Sequence, residues 1–278
     1  MRIQVIGAGN MGTALAVHLA RNRHKVTLYT IDSAVAKQLR AGENKKYLPG
    51  IKIPKTITIS EKIIDAPVSV ICVPTKALFD VAKKLSGKLI TPCKGLINDK
   101  PITQAIPRMT ILQGPTDAEE IAHEKPAIGV ISGPNAALAK KILASKNFEI
   151  IIEKDAIGAQ MGGAFKNAIA ILAGMQESNE NKKGHVIVEG LKEIMTLATK
   201  MGAKKETILG PAGLGDLIMT CYDKHSRNRE FGELIAKGKK YTGCQTVEGI
   251  ETTKAMARLA KKYRVKLPLI EGLAKRFK

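Results

Sequence analysis

Residues 162–174, GGAFKNAIAILAG, set Lys166 and Asn167 among small and apolar residues at helical spacing. Burial lowers the pKa of a lysine toward neutrality, where it can give and take a proton, and a nearby carboxylate can hold it in place. Asp216 is a carboxylate of that kind, since a glycine-rich segment leads to it in GPAGLGDLIMTC and an apolar helix follows. On these residues alone, a lysine snorkelling from an apolar helix to the surface is an equally good reading. The second constellation is GAGNMG, which satisfies G-x-G-x-x-G with Gly7, Gly9 and Gly12. Gly7 allows the tight turn, Gly9 lets the backbone approach a pyrophosphate, and Gly12 permits close packing of helix on strand. Asn10 and Met11 belong to the same cofactor-binding turn. Hydride transfer at a carbon bearing oxygen needs a proton donor or acceptor on that oxygen, because a dinucleotide supplies only the hydride.

Asp32 lies twenty residues beyond Gly12. A carboxylate at that distance accepts hydrogen bonds from the adenosine ribose and favours NAD over NADP. Thr30 holds the more usual strand-end position, and Arg23, His24 or Lys25 stand as possible phosphate partners. The chain has no glycine-lysine loop of the ATPase kind, so the cofactor is expected to be a redox dinucleotide, NAD or NADP.

The elements that position these residues fall into two groups. RIQVIGAGNMGTALAVHLARNRHKVTLYTID reads as strand, glycine turn, helix and strand, and VSVICVP as a strand buried on both faces. KLITPCKG and AIGVISGPN read as further strands, with helices over VAKQLR and TKALFDVAKKL, and such alternation means a doubly wound α/β domain. After about Asp155 the periodic segments are all helical. The expected organisation is a Rossmann-like dinucleotide-binding domain over 1–154 and an all-helical substrate domain over 155–278.

Composition agrees with a globular protein: 44% of the 278 residues are hydrophobic and 25% charged. No apolar run approaches the roughly 20 residues that span a bilayer. The first residues enter a strand directly, leaving no room for a signal peptide, and a cytoplasmic location is expected. Cys72, Cys93, Cys221 and Cys244 are widely separated, which argues against a metal site and fits reduced thiols. The formal net charge of +20 favours anionic partners in general. With only five Phe and five Tyr for stacking, it reads as a basic surface rather than a nucleic-acid platform.

Taken in order, GAGNMGTALAVHLA, KYLPG, CKGL, SGPN, GGAFKNAIAI, GLGDLIMTC, SRNREFG and VEG resemble the soluble bacterial and archaeal NAD(P)-dependent glycerol-3-phosphate dehydrogenases over essentially the whole chain. The resemblance implies interconversion of dihydroxyacetone phosphate and sn-glycerol 3-phosphate, serving phospholipid synthesis. It makes Lys166 the catalytic acid/base, with Lys94 contacting substrate and nicotinamide and Asp216 and Thr220 holding the reacting end. Asn167, Gly133 and Asn135 would line the substrate site. Ser226, Arg227 and Asn228 would grip the phosphate, a task for which arginine offers a fixed bidentate fork. Ala137, Lys94, Arg227 and Glu248 would reach the cofactor. Arg229 reads as a surface helix arginine. The small residues around Lys166 would let its helix approach the nicotinamide domain closely.

The chain also departs from the family pattern. A strand and helix normally found between SGPNAALAKKIL and FEIIIEKDAIG are expected to be missing, and the C-terminus to be trimmed. Glu189 and Ile31 stand where basic residues are common. A homodimer is the expected assembly. The competing readings are a β-hydroxyacid-type dehydrogenase acting on a carboxylate, and a retired nucleotide- or nucleic-acid-binding scaffold.

Overall fold

The computed structural model describes residues 1–223, 226–241 and 247–277. Its first part alternates strand and helix: β1 (Arg2–Ile6), α1 (Asn10–Arg21), β2 (Lys25–Tyr29), α2 (Ser33–Arg40), β3 (Thr58–Ser60), β4 (Val68–Ile71), α3 (Thr75–Lys83) and β5 (Lys88–Thr91). A short hairpin of β6 (Leu96–Ile97) and β7 (Lys100–Pro101) follows. Then come α4 (Ile102–Ala105), β8 (Met109–Gln113), α5 (Ala118–Ala122), β9 (Ala127–Ser132), α6 (Ala136–Leu143) and β10 (Phe148–Ile152). The second part is helical: α7 (Ala156–Gly174), α8 (Glu180–Lys200), α9 (Lys205–Leu209), a π-helical turn at Pro211–Gly215, α10 (Asp216–Tyr222), α11 (Arg227–Ala236), α12 (Glu248–Tyr263) and α13 (Pro268–Lys275).

The sheet runs in the order β10-β9-β8-β5-β4-β1-β2-β3. From β3 to β8 all neighbours are parallel, and β9 then turns antiparallel against β8, with Ile111 opposite Ser132. The parallel part has the crossover order of a dinucleotide-binding fold, with β1 central and buried on both sides. Its strands are short β-branched runs, and Val5, Leu28, Val68 and Val70 are buried against Leu15 and Leu19 of α1. Burial of such side chains stabilises by about 1.5–3 kcal/mol each.

Strand β8 and helix α5 correct the sequence reading. MTILQ and the helix after it were passed over; the strand–helix pair expected to be missing concerns another place, between Leu143 and Phe148, where four residues alone join α6 to β10. In the structure β8 is fully buried between β5 and β9, and the sheet has eight strands.

The chain divides into two compact units, 1–93 with 102–154, and 94–101 with 155–278. Residues 94–101 thus precede the cut expected at 154/155 but pack with the helices. Three anchors hold them there. Gln160 of α7 donates to the Gly95 carbonyl at 3.1 Å, Lys94 reaches Asp216, and Arg258 of α12 grips Asp99 with two hydrogen bonds of 2.7 and 2.8 Å. The core of the helical unit is α7, buried from Gly158 to Gly174. Its small residues are used within this unit. A Cβ on Gly162 would lie 2.6 Å from Gly213 Cα, and one on Gly174 would lie 2.0 Å from the Arg229 carbonyl oxygen. Tight helix packing inside the unit thus gives these two glycines a use of their own.

Among the described residues no helix is long and apolar enough to cross a membrane. Cys72, Cys93 and Cys221 are not joined in disulfides, and Cys244 lies outside the described residues.

Candidate active site

Asp216 opens α10 directly after the π-helical turn and is fully buried. The chain enters this turn through Gly210 and Pro211, and Gly213 passes so close to the Ile208 carbonyl that a side chain there would overlap it. The turn thereby aims a carboxylate into the unit rather than along the helix surface, and π-helical turns are often found at functional positions for such reasons. Oδ1 accepts from Lys166 Nζ, and Oδ2 accepts from Lys94 Nζ at 2.6 Å. Lys166 Nζ also donates to Thr220 Oγ1 at 2.5 Å, and that hydroxyl donates to the Asp216 carbonyl at 2.7 Å. Lys166 is 5% exposed and Thr220 6%, so the cluster is largely shielded from water.

Two ammonium groups on one carboxylate leave the cluster with an excess positive charge. In a buried setting such an excess favours negative charge developing on a nearby oxygen. Burial pushes the Lys166 ammonium down to about 8, Asp216 opposing the shift and Lys94 adding to it. The lysine is therefore buried and held by a carboxylate rather than snorkelling, and its proton is exchangeable near neutral pH.

A second set of groups adjoins the first on α7. Asn167 Oδ1 accepts from Asn228 Nδ2 at 3.1 Å, and Asn228 Oδ1 accepts from the Gly249 backbone N–H at 2.9 Å. These bonds bring α7, α11 and α12 together and set Glu248, exposed in the first turn of α12, beside Gly249. Ser226 is the N-cap of α11, its hydroxyl accepting from Arg229 N–H, and Arg227 is exposed in the first turn. Arg229 is not a surface residue. It is 8% exposed, donates Nε to the Asp223 carbonyl at 3.0 Å and pairs with Glu177 at 2.7 Å, which makes it a structural anchor. Glu189 pairs with Lys192 along the exposed face of α8.

In the sheet unit the glycine turn has the shape of a phosphate cradle. Gly7 has φ +105°, and a Cβ on it would lie 2.6 Å from the Cys72 carbonyl oxygen. A Cβ on Gly12 would lie 1.8 Å from the Gly7 carbonyl oxygen, whereas one on Gly9 would meet nothing within 4 Å. The open space is thus at Gly9, the N-cap of α1, where Asn10 and Met11 begin the helix with no side-chain cap and no acidic residue in the first turn. Free N–H groups at such an end suit a pyrophosphate. Asn44 braces the turn: its Nδ2 donates to the Ala8 carbonyl at 3.1 Å and to Thr13 Oγ1 at 2.9 Å. Asp32 caps α2, Oδ1 accepting from Ala34 and Val35 N–H, while Oδ2 pairs with Lys46 at 2.7 Å.

The sheet register corrects two sets of assignments. Lys25 pairs with Arg2 at the start of β1, so Arg23, His24 and Lys25 lie at the amino edge of the sheet, opposite the glycine turn that follows Ile6. They cannot serve an adenosine phosphate. Gly133, Asn135 and Ala137 follow β9, which runs antiparallel to β8. A Cβ on Gly133 would lie 2.7 Å from the carbonyl oxygen of Met109, the first residue of β8. These residues therefore sit at the edge away from the cofactor turn, about 15 Å along β8 from its carboxyl end. At that carboxyl end stands a second glycine-proline turn, Gly114-Pro115-Thr116. Gly114 has φ +101°, and Thr116 donates both N–H (2.8 Å) and Oγ1 (3.2 Å) to the Gly114 carbonyl. QGPT and SGPN look alike in sequence, and the apolar run MTIL before the first was the available signal.

Known proteins resemble this chain over nearly its whole length. Residues 2–155 match the family model described as NAD-dependent glycerol-3-phosphate dehydrogenase N-terminus, and residues 155–277 match the one described as its C-terminus. The chain is 35% identical over 303 aligned positions to a glycerol-3-phosphate dehydrogenase (NAD(P)+) of Fusobacterium nucleatum, covering 98% of this chain and 90% of that protein. It is 36% identical over 306 positions to the enzyme of the same name from Pseudoalteromonas translucida, covering 98% and 91%. The crystal structure of glycerol-3-phosphate dehydrogenase from Coxiella burnetii superposes with a TM-score of 0.93 at 28% identity, over 99% of this chain and 94% of that one.

Proposed function

We infer, since this chain belongs to the NAD-dependent glycerol-3-phosphate dehydrogenase family, that it is an NAD(P)-dependent oxidoreductase interconverting dihydroxyacetone phosphate and sn-glycerol 3-phosphate. The observation that carries the chemistry is the convergence of Lys166 and Lys94 on the single buried carboxylate of Asp216.

The nicotinamide dinucleotide supplies the hydride for the substrate carbonyl carbon. Gly7, Gly9, Asn10, Met11 and Gly12 would hold its pyrophosphate on the N-terminus of α1, which makes the sheet unit the dinucleotide-binding domain and the helical unit the substrate domain. Lys166 protonates the C2 oxygen during reduction and takes the proton back during oxidation. Lys94 stabilises the negative charge that builds on that oxygen, and Asp216 keeps both ammonium groups aimed at it. Thr220 fixes the rotamer of Lys166. Arg227 binds the substrate phosphate as a bidentate fork, with Ser226 shaping the helix start that presents it and Asn167 and Asn228 orienting the glycerol end. The family resemblance adds Glu248 and Arg227 as residues that would contribute to cofactor binding. The topology supports Gly114 and Thr116, rather than Gly133, Asn135 and Ala137, as the turn flanking the cofactor edge. The excess of basic residues assists capture of two anionic reactants. A cytoplasmic homodimer feeding phospholipid synthesis completes the reading.

The test is oxidation of NADH and NADPH by the purified protein with dihydroxyacetone phosphate, beside a panel of 2-keto and 3-hydroxy acids. Turnover with dihydroxyacetone phosphate is expected. Turnover confined to the carboxylates would refute the assignment.

A further inference from the structure

Asp32 meets the sequence rule for a ribose acceptor, but it is not a free carboxylate. Oδ1 is taken by the Ala34 and Val35 N–H groups at 3.0 and 3.2 Å, and Oδ2 carries the ammonium of Lys46 at 2.7 Å. Lys46 comes from the loop after α2, and that loop is not loosely placed. Two residues earlier, Asn44 is fully buried and bonded to Ala8 and Thr13 of the glycine turn. The same loop therefore braces the pyrophosphate cradle through Asn44 and delivers a cation to the ribose position through Lys46. Two further ion pairs lie nearby, Lys45 with Glu43 at 2.9 Å and Arg40 with Glu61 at 2.7 Å, and neither involves Asp32. Between Thr30 and Asp32, Ile31 is 88% exposed, a large apolar side chain unexplained by packing within this chain and suited to the face of an adenine.

We propose that Lys46 is the residue that recognises the adenosine 2′-phosphate, so that this protein binds NADPH despite an aspartate at the ribose position. The inference rests on the dinucleotide reading of the glycine turn. A bare carboxylate accepts from a 2′-hydroxyl and repels a 2′-phosphate, which is how an aspartate selects NAD. Here the Lys46 side chain is half exposed and linear, and can turn from Oδ2 toward a phosphate oxygen without breaking any buried contact. With NADH bound, the ammonium stays on Oδ2, whose remaining lone pair accepts from the ribose hydroxyl. With NADPH bound, it lies between Oδ2 and a phosphate oxygen, making a charge-assisted bond to the phosphate while still neutralising the carboxylate, which the backbone N–H groups of α2 keep in place.

The experiment measures binding and not turnover. NADPH and NADH are titrated separately into wild type, Lys46→Ala, Lys46→Arg and Asp32→Ala, with the change in reduced-nicotinamide fluorescence as the readout and displacement by 2′,5′-ADP as a second probe. Lys46→Ala is expected to weaken NADPH and 2′,5′-ADP by about 10- to 100-fold and to leave NADH within about threefold. Lys46→Arg should retain NADPH, and Asp32→Ala should weaken NADH more than NADPH. Equal loss of both dinucleotides in Lys46→Ala, the signature of a merely structural pair, would overturn the proposal, and so would no loss of either. A wild-type protein that bound neither dinucleotide would overturn the reading of the glycine turn and this proposal with it.

Discussion

At the scale of single residues, the chemistry turns on a lysine that the fold keeps dry. Lys166 is held by Asp216 and Thr220 and titrates at about 8 because burial disfavours its charge. Reduction needs the ammonium form and oxidation the neutral amine, which gives the direction of the pH dependence. The rate of reduction should be level below about pH 8 and fall by about tenfold per unit above it, and the rate of oxidation should rise through the same point. Asp216→Asn removes the carboxylate that raises the lysine's pKa against burial, so in that variant the falling limb should move to lower pH. Rate profiles in both directions check this, and an unmoved limb would show that another group titrates. The residue types were legible in sequence: a lysine among alanines and a carboxylate after glycines. Asp216 could be named as the carboxylate for Lys166, but that Lys94 shares the same carboxylate was not legible, because 122 residues separate Lys94 from Asp216 and only the fold brings them together.

At the scale of elements, close approach of backbones sets the site. The π-helical turn that launches Asp216 packs on α7 where Gly162 faces Gly213 and the Ala212 carbonyl, the latter 2.9 Å from where a Cβ would be. Gly162→Ala should therefore displace the turn, costing about 1–3 kcal/mol of stability and lowering kcat through misplacement of Asp216. Melting temperature and kcat measured together check it; a variant with both unchanged would mean that the turn can yield without moving the carboxylate. Asn44 acts likewise on the cofactor side. Asn44→Ala removes the shorter of the two side-chain bonds to the Ala8 carbonyl, leaving the Thr13 hydroxyl at 3.3 Å, and should raise KM for the dinucleotide with little effect on KM for the phosphorylated substrate. Steady-state kinetics with each reactant varied in turn separate these, and an equal rise in both would count against a local role. The elements bearing the turn, β1, α1 and β2, were readable from alternation and glycine spacing. Strand β8 was not read, since MTILQ is as short as a loop, and although MTIL marked a strand before the first of two similar glycine-proline turns, it is the antiparallel pairing of β9 that puts them at opposite edges of the sheet.

At the scale of the whole molecule, a division into sheet and helices was visible in the change of periodicity near Asp155, but the membership of residues 94–101 was not. Chain order keeps them with the sheet, while Gln160, Asp216 and Arg258 draw them to the helices. The net charge of +20 acts at this scale as well. Long-range attraction between the protein and its anionic reactants is screened within about 8–10 Å at physiological salt, whereas the buried cluster is not. Raising the salt concentration should lower kcat/KM for dihydroxyacetone phosphate severalfold and leave kcat nearly constant. A kcat that fell in parallel would place the charge effect in the chemistry instead.

The most direct measurement of the central claim compares wild type with Lys166→Ala in single-turnover reduction of dihydroxyacetone phosphate, with dinucleotide affinity determined on the same samples. The predicted result is a rate lower by about 10²- to 10⁴-fold, the usual worth of a general acid, at unchanged affinity for the dinucleotide. A Lys166→Ala protein that still reduced the substrate at a rate near wild type would contradict the account.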